Sequence, residues 1–484
     1  MVSATAAPVQ AIILAGGGGS RLFPLNADGL PKVLLPVANR PLLSFPLRML
    51  EEAGIADVFI VCEGDAAANA VRTWSLSHQQ TSSKALHLEI VRVPDGLPSV
   101  AALRHVLGRI RSETIVIMSG DVVTEVALRD QLLCHQTSKA AMTALFARRK
   151  TAASTDTQPG KPPRGVDYVG LLDNGEELAF YLHAPDGVKQ LVIPQVLTRR
   201  YPNLRLTTRL MDMQVYCFQS SILQTVLDGH EEVQKLEDHL LPLMVQRSLS
   251  APPSDVSAGT ALPQVRLQRG VSMHRASSSS VEGFLEGGGS GARGGMTDSL
   301  EAWRCITYVA PDGGYCQRAN TLQGYADINR EILMPGTAPK FMSSFASLSP
   351  AGTPTASSSG KGRGGEELTK DFATAFVGTA VNLGVKVAIG AGSMVGDGCS
   401  LGDKASVKRS VIGKNCILGS NTKVINCVLM EAITVGDNVH LQNCIISSGC
   451  TLNSGATLRD CHLGPQVVVL SGADLKDEVL SNDK

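Results

Sequence analysis

The C-terminal part of the chain repeats itself every 17 residues. Segments of that length begin at Val407, Val424, Leu441 and Leu458, and the first, sixth and twelfth position of each is aliphatic. Upstream the period is six, with an aliphatic residue opening every hexad from Val377 to Val407. A hexapeptide period is typical of a parallel β-helix. A coil of 17 residues is then a three-sided turn with one shortened side, and we predict that the aliphatic positions point inward and stack.

The corners of the predicted coils carry a second pattern. Four successive corners have a small or acidic residue followed by asparagine or glycine, which tolerate left-handed backbone angles. These corner pairs are Ser420-Asn421, Asp437-Asn438, Ser454-Gly455 and Ser471-Gly472. The pattern therefore places tight turns where the strands of a β-helix should end.

Eleven cysteines, an odd number with no Cys-x-x-Cys pair, argue against a disulfide framework or a zinc cage. Three of the cysteines and one serine occupy the same position in four consecutive coils. They are Ser410, Cys427, Cys444 and Cys461. We predict an interior column of small side chains about one strand spacing apart, roughly 4.8 Å. The thiols should be reduced.

The charge balance excludes some classes of partner. Lys plus Arg and Asp plus Glu are 44 each, so no net charge attracts nucleic acid or a membrane surface. No apolar run reaches the roughly 18 residues of a membrane span, and the N-terminus lacks the features of a signal peptide. We expect a soluble, cytoplasmic protein with no direct nucleic-acid or membrane partner.

At 484 residues the chain is too long for one core, and two stretches rich in Ser, Gly and Pro divide it. Such stretches bury too little apolar surface to offset the entropy of ordering. We predict a disordered insertion at 248–299 and a disordered linker at 335–366. Between them, 300–334 has helical spacing and should bridge a first domain, 1–247, and the β-helix, 367–484.

The first domain alternates strand and helix signals. The runs VQAIILA, DVFIVC, LHLEIVRV and TIVIMSGD indicate strands, and PLLSFPLRMLEEAG and SVAALRHVLGRI indicate helices. This alternation predicts an α/β, Rossmann-like domain whose ligands bind at the carboxyl ends of parallel strands.

The loop after the first strand, LAGGGGSRLFPLNADGLPKVLLPV, resembles the signature of the sugar-nucleotide pyrophosphorylases, which join a sugar 1-phosphate to a nucleotide. Arg21 and Lys32 could neutralise phosphoryl charge. The resemblance also implies that the acid after the fourth strand, here Asp121, holds Mg²⁺. The glycines that could let backbone amides approach a triphosphate are Gly16, Gly17 and Gly19.

Other segments depart from the pattern of working enzymes. Pro98 lies in the segment that should hydrogen-bond the base, and His183-Ala184-Pro185 stands where a Glu-Lys-Pro usually grips the sugar phosphate. No Asp-x-Gly-Thr-like second metal carboxylate is evident. A simpler interpretation of two of these residues stays open, in which Lys32 is a surface or packing lysine and Asp121 is a turn residue at the end of a strand. We therefore interpret the nucleotide-binding residues as vestigial and expect no catalytic residue, metal or cofactor.

Three blocks together resemble the gamma-subunit family of eukaryotic translation initiation factor 2B, the guanine-nucleotide exchange factor for initiation factor two. They are the first domain with GDVVTEVAL, the segment GYCQRANTLQGYADINREI, and the coil steps KRSVIG, INCVLM, QNCIIS and RDCHLG. The resemblance implies a left-handed β-helix and a non-catalytic subunit that pairs with epsilon, joins alpha, beta and delta, and helps to dock initiation factor two. The epsilon subunit continues into a catalytic domain, whereas this sequence stops at Lys484.

Two alternatives stay open. An active sugar-nucleotide pyrophosphorylase, similar to mannose-1-phosphate guanylyltransferase, is supported by the glycine loop and opposed by the altered sugar site. A hexapeptide acyltransferase usually needs a histidine base in the coils. Only His440 and His462 occur there, at different offsets in their repeats.

Overall fold

The computed structural model describes residues 9–17, 19–79, 86–149, 165–172, 175–184, 188, 190–250, 303–334 and 375–482. Only 248–250 of the predicted insertion fall within these ranges, where they end a helix, Leu241–Ser250. The predicted linker, 335–366, lies outside the described residues. Within the described part of the chain, no helix is long and apolar enough to cross a membrane.

The first domain and the segment that follows it contain fourteen strands and eight α-helices within the described residues. The strands are β1 (Gln10–Leu14), β2 (Pro36–Val37), β3 (Arg40–Pro41), β4 (Asp57–Glu63), β5 (His87–Val93), β6 (Thr114–Ser119), β7 (Val122–Thr124), β8 (Met142–Arg148), β9 (Val166–Leu171), β10 (Leu178–Ala184), β11 (Arg205–Thr207), β12 (Leu210–Gln219), β13 (Cys305–Val309) and β14 (Cys316–Arg318). The helices are α1 (Ser44–Ala53), α2 (Gly64–Gln79), α3 (Ser99–Leu107), α4 (Leu128–Thr137), α5 (Gln195–Arg200), α6 (Ser220–Asp228), α7 (Leu241–Ser250) and α8 (Leu322–Glu331).

A seven-stranded sheet forms the centre of this domain, in the order β13-β8-β12-β6-β1-β4-β5. Strands β4, β1 and β6 run parallel, and β12 is antiparallel to both of its neighbours. Successive side chains of a strand point to opposite faces, so Ile12 and Phe59 pack into one core layer and Ile13 and Ile60 into the other. The α/β fold predicted for this domain is confirmed.

The segment interpreted as a helical bridge contributes more than a helix. Its strand β13 extends the central sheet by pairing in parallel with β8, and β14 pairs with β7. Helix α8 follows, and its N-cap residue Thr321 accepts a hydrogen bond from the amide of Gly324 at 3.0 Å. The segment therefore also completes the first domain, at a sheet edge that the preceding sequence leaves open.

The C-terminal domain is a β-helix of three parallel sheets. The first sheet contains β15 (Phe376–Val377), β18 (Met394–Val395), β21 (Val411–Ile412), β24 (Val428–Leu429), β27 (Ile445–Ile446), β30 (His462–Leu463) and β33 (Val479–Leu480). The second contains β16 (Asn382–Leu383), β19 (Ser400–Leu401), β22 (Ile417–Leu418), β25 (Thr434–Val435), β28 (Thr451–Leu452) and β31 (Val468–Val469). The third contains β17 (Ala388–Ile389), β20 (Ser406–Lys408), β23 (Lys423–Ile425), β26 (His440–Gln442), β29 (Thr457–Arg459) and β32 (Asp474–Lys476).

The predicted repeat matches the coils residue by residue. Val407 pairs with Val424, and Ile412 with Leu429, so equivalent positions stack one coil apart. The twelve aliphatic side chains of the 17-residue coils are at most 3% exposed. The predicted corners have left-handed backbone angles, with φ of 58° at Asn421. The predicted cysteine column is also interior, since its thiols are free and buried.

The two domains share an apolar cluster. Leu35 and Phe45 of the first domain pack with Tyr325 and Ile328 of α8. The outward side chains of the first β-helix sheet complete this cluster: Met394, Val411, Val428 and Ile445. One face of the β-helix is therefore covered by the first domain.

Candidate functional site

The glycine loop lies at the carboxyl end of β1, where the sequence predicts a phosphate site. Gly17 and Gly19 have φ of 99° and 59°, a region that residues with a Cβ rarely adopt. At Gly19 a Cβ would also lie 2.8 Å from the side-chain nitrogen Nδ2 of Asn26. Arg21, two residues further on, is exposed. The loop therefore keeps the backbone geometry that its glycines permit, with a cation beside it.

The carboxylate of Glu63 accepts a hydrogen bond from a backbone amide of this loop. Glu63 is the last residue of β4, the strand next to β1. The amide of Gly17 donates to its Oε2 at 2.6 Å, and the amide of Gly96 donates to its Oε1. Gly96 precedes Pro98 in the segment that is predicted to approach the base. Glu63 therefore joins the glycine loop, which is the predicted phosphate loop, to the loop at 94–98, which is the predicted base-side loop.

The base-side loop is held from its other side as well. Pro98 is the N-cap residue that precedes helix α3, and the amide of Val100 donates to the carbonyl oxygen of Gln234 at 2.8 Å. The hydroxyl of Ser99 accepts a hydrogen bond from the amide of Leu236 at 3.0 Å. These two polar groups of the segment already have intramolecular partners.

Asp121 follows β6 and is buried. The ammonium of Lys32 donates to its Oδ2, and the hydroxyl of Ser119 donates to its Oδ1 at 2.7 Å. Arg318, from β14, donates through Nε to Oδ1 at 3.0 Å and through Nη2 to Oδ2 at 3.3 Å. The carboxylate therefore accepts four hydrogen bonds, three of them from cations.

The surroundings of Asp121 hold it ionised and neutralised. Burial alone would raise its pKa, but the charges of Arg318 and Lys32 and their hydrogen bonds outweigh that effect and lower it well below its usual range. Burial likewise acts to lower the pKa of Arg318, and Asp121 outweighs it and raises that pKa. A carboxylate holds Mg²⁺ through its negative charge and its oxygen lone pairs. In this structure Lys32 and Arg318 offset the charge of Asp121, and its two oxygens accept four hydrogen bonds from within the chain.

A second cluster of acids lies between β9, β10 and β12. His183 lies in the segment that replaces Glu-Lys-Pro. Its Nδ1 forms a hydrogen bond of 2.6 Å with Oδ1 of Asp167. The other oxygen of Asp167 accepts from the amide of Asp212 at 2.9 Å, and the hydroxyl of Tyr216 donates to the carboxylate of Asp212. Burial, and then the charge of Asp167, raise the pKa of Asp212 to about 7. The altered segment is thus tied into the core of the domain.

The two β-helix histidines do not meet. His440 begins β26 in the third sheet, whereas His462 begins β30 in the first sheet. Burial lowers the pKa of His462. Within the described ranges, no group of three or more His, Cys, Asp or Glu side chains could hold a metal ion.

The structure brings some of the predicted site residues together. Lys32 and Asp121 form an ion pair, and Gly16, Gly17 and Gly19 share the loop with the exposed Arg21. Sequence reasoning missed Arg318 and Glu63. Arg318 is 197 residues from Asp121 and carries no local signal. Glu63 did carry one, because an acid at the carboxyl end of a strand beside β1 must face the loop that follows β1.

This fold and site define a class: a nucleotidyltransferase domain followed by a hexapeptide β-helix. The family described as "Nucleotidyl transferase" matches residues 10–156. The family described as "EIF2B subunit epsilon LbH domain" matches residues 373–475. Both predicted domains thus correspond to known families.

The chain is similar to gamma subunits of translation initiation factor eIF2B. It is 24% identical to the gamma subunit from Dictyostelium discoideum over 340 aligned residues. This alignment covers 67% of this chain and 74% of the relative. It is 24% identical over 331 residues to the one from Schizosaccharomyces pombe, or 67% of this chain and 65% of the relative. A mannose-1-phosphate guanylyltransferase from Mycobacterium tuberculosis is 31% identical over 140 residues, only 29% of this chain and 37% of the enzyme.

Proposed function

We propose that this chain is a non-catalytic, gamma-type subunit of eIF2B, the exchange factor that replaces GDP by GTP on translation initiation factor two. The observation that carries the proposal is the similarity to curated gamma subunits over two-thirds of the chain, longer than either domain alone. In this role it pairs with epsilon in the cytoplasm, joins the alpha, beta and delta subunits, and helps to dock initiation factor two.

The site supports a role without catalysis. Metal-assisted nucleotidyl transfer needs a carboxylate free to hold Mg²⁺ and donors free to hold phosphates. Asp121 is neutralised by Lys32 and Arg318, and Glu63 takes the amide of Gly17. The proposed subunit keeps the nucleotidyltransferase fold and uses it as a scaffold.

The exposed faces of the β-helix support assembly. The first domain covers the first sheet. Among the described residues, outward side chains of the second and third sheets, such as Ile417 and Lys423, are exposed. On the second sheet, Ile417 and Val468 point outward and are 52% and 61% exposed, and Thr434 and Thr451 lie between them. A flat, uncharged strip of this kind suits contact with another protein.

The proposal predicts a division of labour in an exchange assay. Release of fluorescent GDP from initiation factor two should be undetectable above background with this chain alone, measurable with epsilon alone, and faster with the pair. The chain should also co-purify with the other exchange-factor subunits from its own cells. Substantial release by this chain alone, or no gain when it is added to epsilon, would contradict the supporting role.

An active sugar-nucleotide pyrophosphorylase is the second candidate, favoured by the glycine loop and by the 31% identity to a guanylyltransferase. We expect no pyrophosphate release above background when the isolated chain is given Mg²⁺, nucleoside triphosphates and common sugar 1-phosphates. A coupled phosphate assay measures it. Steady turnover by the isolated wild-type chain would favour the enzyme over the exchange-factor subunit.

A further inference from the structure

Glu63 makes a pair of contacts that the fold alone does not require. Its strand, β4, is held by backbone pairing to β1 on one side and β5 on the other. Its carboxylate reaches beyond the strand end to the amides of Gly17 and Gly96, which are 46 and 33 residues away in sequence. Both contacts are hydrogen bonds from a backbone N–H to a carboxylate oxygen, a type that is stronger than bonds between neutral groups.

The two amides that Glu63 occupies belong to the loops that would hold a nucleotide. A phosphate at the glycine loop would take the amide of Gly17, and Lys32 and Arg21 would add positive charge on that side. The Lys32 Cβ lies 3.7 Å from the position that a Cβ on Gly19 would take, so its stem packs against the loop. A carboxylate oxygen offers these donors the same charge and acceptor chemistry as a phosphate oxygen.

We propose that Glu63 is the resident anion of this loop, and that a short polyphosphate binds there only when the Glu63 side chain is displaced or removed. The Glu63 carboxylate bonds to the loop amides from within the chain, so it competes with a free ligand at an effective concentration in the millimolar range or above. The same carboxylate clasps the phosphate loop to the base-side loop and holds the cleft between them closed. This inference does not rest on the exchange-factor role.

The test is binding of inorganic tripolyphosphate to the full-length chain, measured by titration calorimetry in Mg²⁺-free buffer. Glu63→Ala should bind it at least about tenfold more tightly than the wild type, because the internal competitor is gone. The gain should shrink as salt is raised. It should also be lost when Arg21→Ala is added.

Asp57→Ala is the matched control. Asp57 begins the strand that Glu63 ends, carries the same charge and is exposed, so its removal changes the net charge equally at the far end of β4. Asp57→Ala should bind tripolyphosphate as the wild type does. Equal binding by Glu63→Ala and Asp57→Ala would overturn the proposal, whether both are weak or both are tight.

A second measurement serves if Glu63→Ala does not fold. In the wild type, hydrogen exchange followed by mass spectrometry should show protection of the peptides that contain Gly17 and Gly96, and tripolyphosphate should not change it. In Glu63→Gln, which keeps the shape but lacks the charge, both peptides should exchange faster together. Fast exchange of these peptides in the wild type would show that the clasp does not form and would refute the inference.

The experiment stays separate from the exchange assay. Failure of this chain to accelerate GDP release would remove the proposed subunit role and leave the binding difference between Glu63→Ala and Asp57→Ala unaffected. Equal binding by those variants would remove the role of Glu63 and leave the subunit role untouched.

Discussion

Asp121→Ala is expected to lower the unfolding free energy of the first domain by about 3–5 kcal/mol, the range for removing one partner of a buried ion pair. The reason is that Lys32 and Arg318 would both remain largely buried with no carboxylate between them. Urea unfolding followed by tryptophan fluorescence measures the change. Both tryptophans, Trp74 and Trp303, pack against the two core layers of this domain.

Asp228→Ala provides the control, since Asp228 is exposed at the end of α6 and its loss should change stability by less than about 0.5 kcal/mol. Adding Arg318→Met to Asp121→Ala removes one of the two cations that would lack Asp121. The double variant should therefore recover part of the lost unfolding free energy. A metal-binding enzyme would behave differently, because its acid is held for the ion and not for two cations. If Asp121→Ala were as stable as Asp228→Ala, the ion-pair role would be wrong.

Cys444→Arg should unfold the β-helix at a temperature lower by at least about 10 °C, because a bulky cation would replace a thiol in a closed column. The thiol of Cys444 donates to the carbonyl oxygen of Gln442 at 3.1 Å, and its amide donates to the sulfur of Cys427 at 3.4 Å. Cys444 is only 1% exposed, so a guanidinium at this position would be buried without hydration. Adjoining coils should fail with it, since each coil is stabilised by its neighbours.

Thr434→Arg is the matched control for the β-helix. Thr434 is exposed and points outward from the second sheet, one coil before Thr451, so an arginine there reaches solvent. Circular dichroism melting should place Thr434→Arg within a few degrees of the wild type and Cys444→Arg far below it. Equal melting temperatures would mean that the cysteine column does not face the interior.

The β-helix could be predicted from sequence because its contacts repeat. Each coil contacts only the coils next to it. A period of 17 residues therefore predicts both which side chains point inward and which residues of the next coil they stack on. The strands and helices of the first domain were predictable for a related reason. Local periodicity marks a buried strand such as β1, and Gly54, with a φ of 81°, marks the end of α1. The resemblance to nucleotidyltransferases rested on a local motif as well.

The state of the site was decided only by the tertiary structure. Whether Asp121 faces a metal or a cation depends on Arg318, which arrives on a strand beyond the segment 251–302. Which acceptor the Gly17 amide meets depends on Glu63, whose contacts span 46 and 33 residues. By itself the sequence determined the two folds and the backbone of the glycine loop, because these follow from neighbours along the chain or one coil away. Folding decided which charges meet, because no periodicity links residues that only the packing of separate strands brings together.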